Sequence, residues 1–231
     1  MASDASVAQA RQQLAAQAPG EEHPLYAVVN NAGIGIGMSD LRAVLEVNTL
    51  GMRRVCEAFV PLLQPAGGRV VNVTSASGPS YVATCSPERQ RQLTNPAVTA
   101  DELQALIDEC LALRGVEAFE AAGLGNGSPY GLSKALANAY TLLLAREHPS
   151  LRINACTPGF IQTDLTRSYV ASSGRSADQL GMKPPAAGAR CPMFLLFGEP
   201  EGNGRYYGSD ALRSPLDRYR APGSAPYTGE P

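Results

Sequence analysis

The sequence predicts an α/β protein built on a parallel sheet, doubly wound with helices on both faces. Three observations predict it. Apolar, β-branched runs at residues 25–29, 70–73 and 151–156 each close in small polar residues or glycine. These runs are continuous rather than alternating, as strands covered on both faces require. Helically spaced stretches separate them with short connections, and the order strand, helix, strand requires parallel pairing.

The composition is compatible with that class and excludes others. Hydrophobic residues make up 44% of the 231, enough for a sizeable core. Nineteen basic and 21 acidic residues leave a net charge of −2, so nothing points to nucleic acid or an anionic membrane as partner. No run approaches the ~18 apolar residues of a membrane span. The N-terminus also lacks the apolar stretch of a signal peptide, so a cytoplasmic protein is expected. Cys56, Cys85, Cys110, Cys156 and Cys191 are odd in number and scattered, with no Cys-x-x-Cys pair. They read as reduced thiols rather than a disulfide framework or a zinc site. The two histidines, His23 and His148, sit at element ends, so no histidine-based metal site is expected.

Taken in order, residues 5–16 read as a helix, with Ser3 or Asp4 as a cap. Residues 25–29 form a strand buried on both faces, followed by the glycine-rich loop NNAGIGIG. Leu41, Leu45, Met52, Val55, Phe59 and Leu62 place one long helix over 40–63, and Asn48 falls on its apolar stripe. A buried amide there must find partners. Val70, Val71 and Val73 mark the second strand. Residues 79–128 then interrupt the rhythm as a helical insertion. Ser86 and Pro87 start a short helix in it, and Thr99 with Glu102 forms a capping box for another. A helix over 130–147 and a strand in LRINACTPG follow. The segment from Asp164 to Pro185 is polar and reads as a mobile loop, 185–197 as a helix, and 205–208 as a short last strand. Residues 1–210 thus form a single domain, and 211–231 a Pro- and Gly-rich tail expected to be poorly ordered.

In a doubly wound sheet, ligands bind at the carboxyl ends of the strands. Polar clusters stand at those ends: Asn30-Asn31-Ala32-Gly33, Thr74-Ser75 and Thr157-Pro158-Gly159. Tyr130 and Lys134, four apart, share a helix face. An ammonium beside a phenol lowers the phenol pKa from ~10 toward neutrality, which makes the pair a candidate proton donor and acceptor. Each motif alone has a bland reading: a turn, a strand-end hydroxyl, a chance spacing. Their conjunction in this order is what carries weight.

On these residues the sequence resembles the short-chain dehydrogenase/reductase family from about Ala2 to Gly208. Asn-Asn-Ala-Gly at 30–33 matches the motif after the family's fourth strand, and Asn48 its helix asparagine. Ser75 matches its catalytic serine, Tyr130 and Lys134 its Tyr-x-x-x-Lys pair, and Pro158-Gly159 with Thr163 the motif after its sixth strand. The resemblance implies a Rossmann-type fold and reduction of a small-molecule carbonyl by a nicotinamide cofactor. Tyr130 would protonate the developing alkoxide and Ser75 would position the carbonyl oxygen. Lys134 would depress the Tyr130 pKa and hold the nicotinamide ribose. Asn48 would anchor a relay water, Thr163 and the backbone after Pro158 would hold the carboxamide, and Asn31 and Gly33 would pack near the adenine-side ribose.

Ser75 and Tyr130 stand 130 − 75 = 55 residues apart, much further than in most of the family. That insertion resembles monomeric, NADPH-dependent carbonyl reductases, which implies NADPH and a monomer; the residues themselves do not exclude NAD. No Gly-x-x-x-Gly-x-Gly turn precedes Asn31. The expectation is therefore a partial sheet that lacks the family's first strands, with residues 25–29 as an open edge. Two readings stand: a carbonyl-reducing enzyme, and a non-catalytic binding or regulatory protein unable to hold cofactor.

Overall fold

The computed structural model describes residues 1 and 3–229. Ala2, where the resemblance begins, and Glu230 and Pro231, which end the expected tail, lie outside the described residues.

Four strands form one parallel sheet in chain order: β1 (Ala27–Asn30), β2 (Arg69–Val73), β3 (Arg152–Cys156) and β4 (Tyr206–Tyr207). Val28 faces Val70, which faces Ile153, so the apolar positions stay in register across the sheet. β2 is buried along its whole length, as its run of valines predicts. β1 is not: Val29 is 43% exposed, because β1 pairs only with β2 among the described residues. Leu25 lies outside β1, in an isolated bridge to Leu63, which shortens the expected strand.

Helices cover both faces. On one, α3 (Leu50–Phe59) and α8 (Pro129–Glu147) pack over Val70 and Ile153. On the other, α11 (Arg190–Phe197) covers Val71, Val73 and Cys156. The buried Arg69 guanidinium donates to the carbonyls of Leu195 at 2.9 Å and Gly198 at 2.7 Å, closing the end of α11. α1 (Asp4–Gln17) packs on α3 and buries only Val7.

The long helix expected over 40–63 is three pieces: α2 (Leu41–Asn48), α3, and a 3₁₀ turn (Val60–Leu62). The break falls where the Asn48 and Thr49 side chains turn to bond α8 and the loop after β1. The insertion holds α5 (Pro87–Leu93) and α6 (Ala100–Ala112), started by Ser86 and the Thr99 capping box as predicted. It also holds α7 (Gly115–Ala121), and α4 (Ser77–Val82) leads into it; both are too short for a periodic signal. α9 (Asp164–Ser173) occupies the segment expected as a loop. The helix expected over 185–197 breaks at Ala189 into α10 (Pro185–Gly188) and α11.

The tail is also ordered. After β4 the chain folds back as a strap over residues 208–227, with Ser214 N–H donating to the Tyr206 carbonyl at 2.9 Å. Ala211 takes a left-handed φ of 63° at the bend. Arg220 grips Asp210 at 2.9 Å, and the Gly223 N–H closes on the same carboxylate. Leu216 is buried against Leu142, Ala155 and Tyr206. Pro215 and Leu216 are the buried apolar side chains of the strap, and the well-covered Asp210–Arg220 pair supplies the fastening that the scarcity of such anchors did not suggest.

Candidate functional site

β1, β2 and β3 end on the same side of the sheet, where α8 begins. Their loops and the first turns of α8 enclose a cleft of about 1070 Å³. Asn31, Gly33, Ser75, Tyr130, Lys134, Pro158, Gly159 and Thr163, eight of the nine residues singled out in the sequence, line it.

The ninth, Asn48, lies behind the wall. Its Oδ1 accepts from the Ile34 N–H at 2.9 Å. Its Nδ2 donates to the Ile34 carbonyl at 2.8 Å and to Ser133 Oγ at 2.9 Å. The side chain thus ties the loop after β1 to the start of α8. The approach is close. A Cβ on Gly33 would stand 3.3 Å from both Asn48 Oδ1 and Lys134 Nζ, so a larger residue would push into the ammonium.

Lys134 is buried and donates to the Val73 carbonyl at 3.2 Å. Burial lowers its pKa to about 8, since the charged ammonium loses water there. Its Nζ stands 5.7 Å from the centre of the Tyr130 ring. Burial raises the Tyr130 pKa, and the neighbouring Ser75 hydroxyl only partly opposes this. The phenol is therefore not drawn toward neutrality, contrary to the expectation from Tyr-x-x-x-Lys spacing: desolvation of the phenolate outweighs what its neighbours return. Ser75 sits at the head of α4, with Oγ 3.2 Å from Ser77 Oγ and accepting from the Ser77 N–H at 3.1 Å.

Gly78 lets α4 lie directly on α8. A Cβ there would come within 3.0 Å of Asn138 Nδ2 and of the Lys134 carbonyl carbon. This contact fixes Ser75 relative to Tyr130. Gly159, with φ of 92°, turns the chain after β3, and Thr157 Oγ1 accepts from its N–H at 3.1 Å. Thr163 starts α9, its N–H donating to Thr166 Oγ1 at 3.0 Å.

Two features escaped the sequence reading. Asn30 donates to Asn72 Oδ1 at 2.8 Å, and Asn72 to Thr141 Oγ1 at 2.9 Å, a buried chain from β1 through β2 to α8. Its signal was Asn72 inside the second apolar run and Asn30 directly after the first. The other is Tyr206 with the strap, which forms a further wall of the cleft and carried no motif. Among the described residues there is no cluster of His, Cys, Asp or Glu suited to a metal ion, and no helix long and apolar enough to cross a membrane.

A family model described as short chain dehydrogenase matches residues 1–87. Carbonyl reductase (NADPH) 1 of Rattus norvegicus is 30% identical over 195 residues, which cover 78% of this chain and 65% of that protein. The chain thus spans 65% of the length of that curated relative. Among solved structures, salutaridine reductase from Papaver somniferum superposes with a TM-score of 0.68 at 22% identity, over 87% of this chain and 78% of that one. NADPH-bound carbonyl reductase from chicken fatty liver superposes with a TM-score of 0.59 at 17% identity, over 92% and 73%. At these identities the two structures speak for the fold.

Proposed function

We propose that this chain, a short-chain dehydrogenase/reductase resembling the carbonyl reductases, reduces a small-molecule carbonyl to an alcohol with NADPH. The observation that carries this reading is the convergence of Ser75, Tyr130 and Lys134 on one cleft, with the ammonium 5.7 Å from the phenol ring. The raised Tyr130 pKa keeps the phenol protonated at neutral pH, the form a proton donor needs. Tyr130 Oη gives its proton to the carbonyl oxygen, and Ser75 Oγ hydrogen-bonds that oxygen and orients it. Lys134, held by the Val73 carbonyl, places positive charge where oxyanion character develops. Asn48 acts through Ile34 and Ser133, holding the two walls at a fixed distance.

The residues present suit the nicotinamide half of the cofactor. Gly33 leaves space beside Lys134 Nζ, and Asn31, Pro158, Gly159 and Thr163 border the same cleft. When bound, the cofactor supplies the hydride. NADPH rather than NADH rests on the likeness to carbonyl reductase. The protein is proposed as a cytoplasmic monomer, since α6 of the insertion packs on α8 and covers its flank. A tetramer by light scattering would overturn that assignment.

The second reading is a binding or regulatory protein without turnover, whose cleft takes up carbonyl compounds without passing them a hydride. NADPH oxidation with a panel of aldehydes and ketones separates the two. Turnover should fall by about 10²–10⁴-fold in Tyr130→Phe. Wild-type protein that binds carbonyl compounds but never oxidises NADPH would support the second reading instead.

A further inference from the structure

The far wall of the cleft is built by β4 and the strap, and it carries an unused polar group. Tyr206 is 5% exposed, borders the cleft, and its Oη is buried with no hydrogen-bond partner among the described residues. Thr157, whose hydroxyl already accepts from Gly159, lies beside it without completing a bond of ordinary geometry. A buried hydroxyl left unpaired loses its bonds to water without replacement, so a site that retains one is suited to a ligand that satisfies it. Its neighbour on β4 shows the contrast: Tyr207 Oη donates to the Glu201 carbonyl at 2.7 Å.

The surroundings are built rather than incidental. Ser209 lies directly on Gly159, where an added Cβ would meet Ser209 Cβ at 3.1 Å. The strap is held by the Asp210–Arg220 pair, whose side chains are only 14% and 6% exposed. The two strap guanidiniums that line the cleft are already paired, Arg220 with Asp210 and Arg218 with Asp217 at 2.9 Å. A carboxylate or phosphate would find neither of them free, whereas a neutral oxygen would find a phenol ready to donate.

We propose that Tyr206 Oη is a specificity group that binds an uncharged second oxygen, a hydroxyl or ketone distal to the reacting carbonyl, so that the preferred substrates are carbonyl compounds bearing a second oxygen rather than carbonyls on a plain hydrocarbon chain. This rests on the cleft being the substrate site as read above. It is tested by binding alone, so its failure is distinct from a failure of turnover.

The probes are a ladder of 2-alkanones and the matching ω-hydroxy-2-alkanones of increasing chain length. They are titrated into the full chain and followed through the amide resonances of Gly159 and Ser209. Wild type should hold one chain length of the hydroxylated series about fivefold more tightly than its plain partner, the value of one hydrogen bond. Tyr206→Phe should bring that ratio to one, and Tyr207→Phe, which should still fold around the same strap, should retain it. A wild type without preference at any length, or a preference that survives in Tyr206→Phe, overturns the proposal.

Discussion

Residues 131–145 of α8 are buried without interruption, whereas the strap from Gly208 to Tyr227 buries Ser214, Pro215 and Leu216 and leaves most of its remaining residues partly or fully exposed. Both regions border the same cleft. α8 is held by apolar contact with α2, α4, α6 and the sheet, and the strap by the Arg220 clamp on Asp210 and a handful of backbone bonds. The difference assigns different duties. α8 supplies a rigid turn, carrying Tyr130 and Lys134, whose position depends on the global fold. The strap is a locally fastened wall that can loosen while the sheet stays folded.

The largest effect should come from breaking the α8 side. Leu136 is fully buried in the main core. Leu136→Ala should lower stability by about 2–5 kcal/mol, the usual range for such a cavity. Urea unfolding measures it. A loss no greater than that of a strap variant would break the comparison, because α8 would then be no more integral than the strap.

The next effect has the opposite sign. Lys134 bears its charge in a dry site, and its lowered pKa means that the native state disfavours the ammonium. Both folded and unfolded chains are protonated well below pH 8, so there the penalty is present in full. It shrinks as pH rises from about 8 toward the unfolded value near 10.4. Lys134→Met should therefore gain about 3 kcal/mol at pH 7 while losing carbonyl reduction, and the gain should fade across that alkaline window. Thermal melts of both proteins from pH 7 to 10 check it. A variant less stable than wild type at pH 7 would show that the bond to the Val73 carbonyl outweighs the burial of the charge.

The same contrast explains what could be read in the sequence. β2, β3 and α8 are legible because packing imposes periodicity: Val70, Val71 and Val73 are buried on both faces, and Tyr130 and Lys134 share a helix face. The candidate site was legible for a related reason, since strand ends bring separate polar clusters together once the topology is parallel. The strap was not legible. Asp210 and Arg220 are ten residues apart in a segment without periodicity, and nothing local marks them as partners. Helices α4, α7 and α10 are too short for a pattern, and α9 lies in a polar segment whose start rests on the Thr163–Thr166 turn. The direction of the Tyr130 shift was also out of reach. It depends on how deeply the phenol is buried, which spacing does not encode.

The smallest effect tests whether the strap is fastened where the geometry places its fastening. Burial acts to raise the Asp210 pKa, but hydrogen bonds from Arg220, Gly223 N–H and Leu212 N–H win, and the net shift is downward. A carboxylate with a lowered folded pKa stabilises above its unfolded value near 3.9, and that contribution is lost as pH falls through the folded value. The strap should therefore release under acid, below the ordinary carboxylate range, at a local cost of about 1–3 kcal/mol. Hydrogen exchange at the Gly223 amide, which donates to Asp210 at 2.9 Å, reports it directly. Asp210→Asn keeps the shape and removes the charge. Its Gly223 amide should exchange faster at neutral pH and show no further acid step, while amides in β2 remain as protected as in wild type. Acid release undiminished in Asp210→Asn would mean that another group fastens the strap. Loss of β2 protection together with Gly223 would mean that strap and sheet open as one unit, and the division between them would fall.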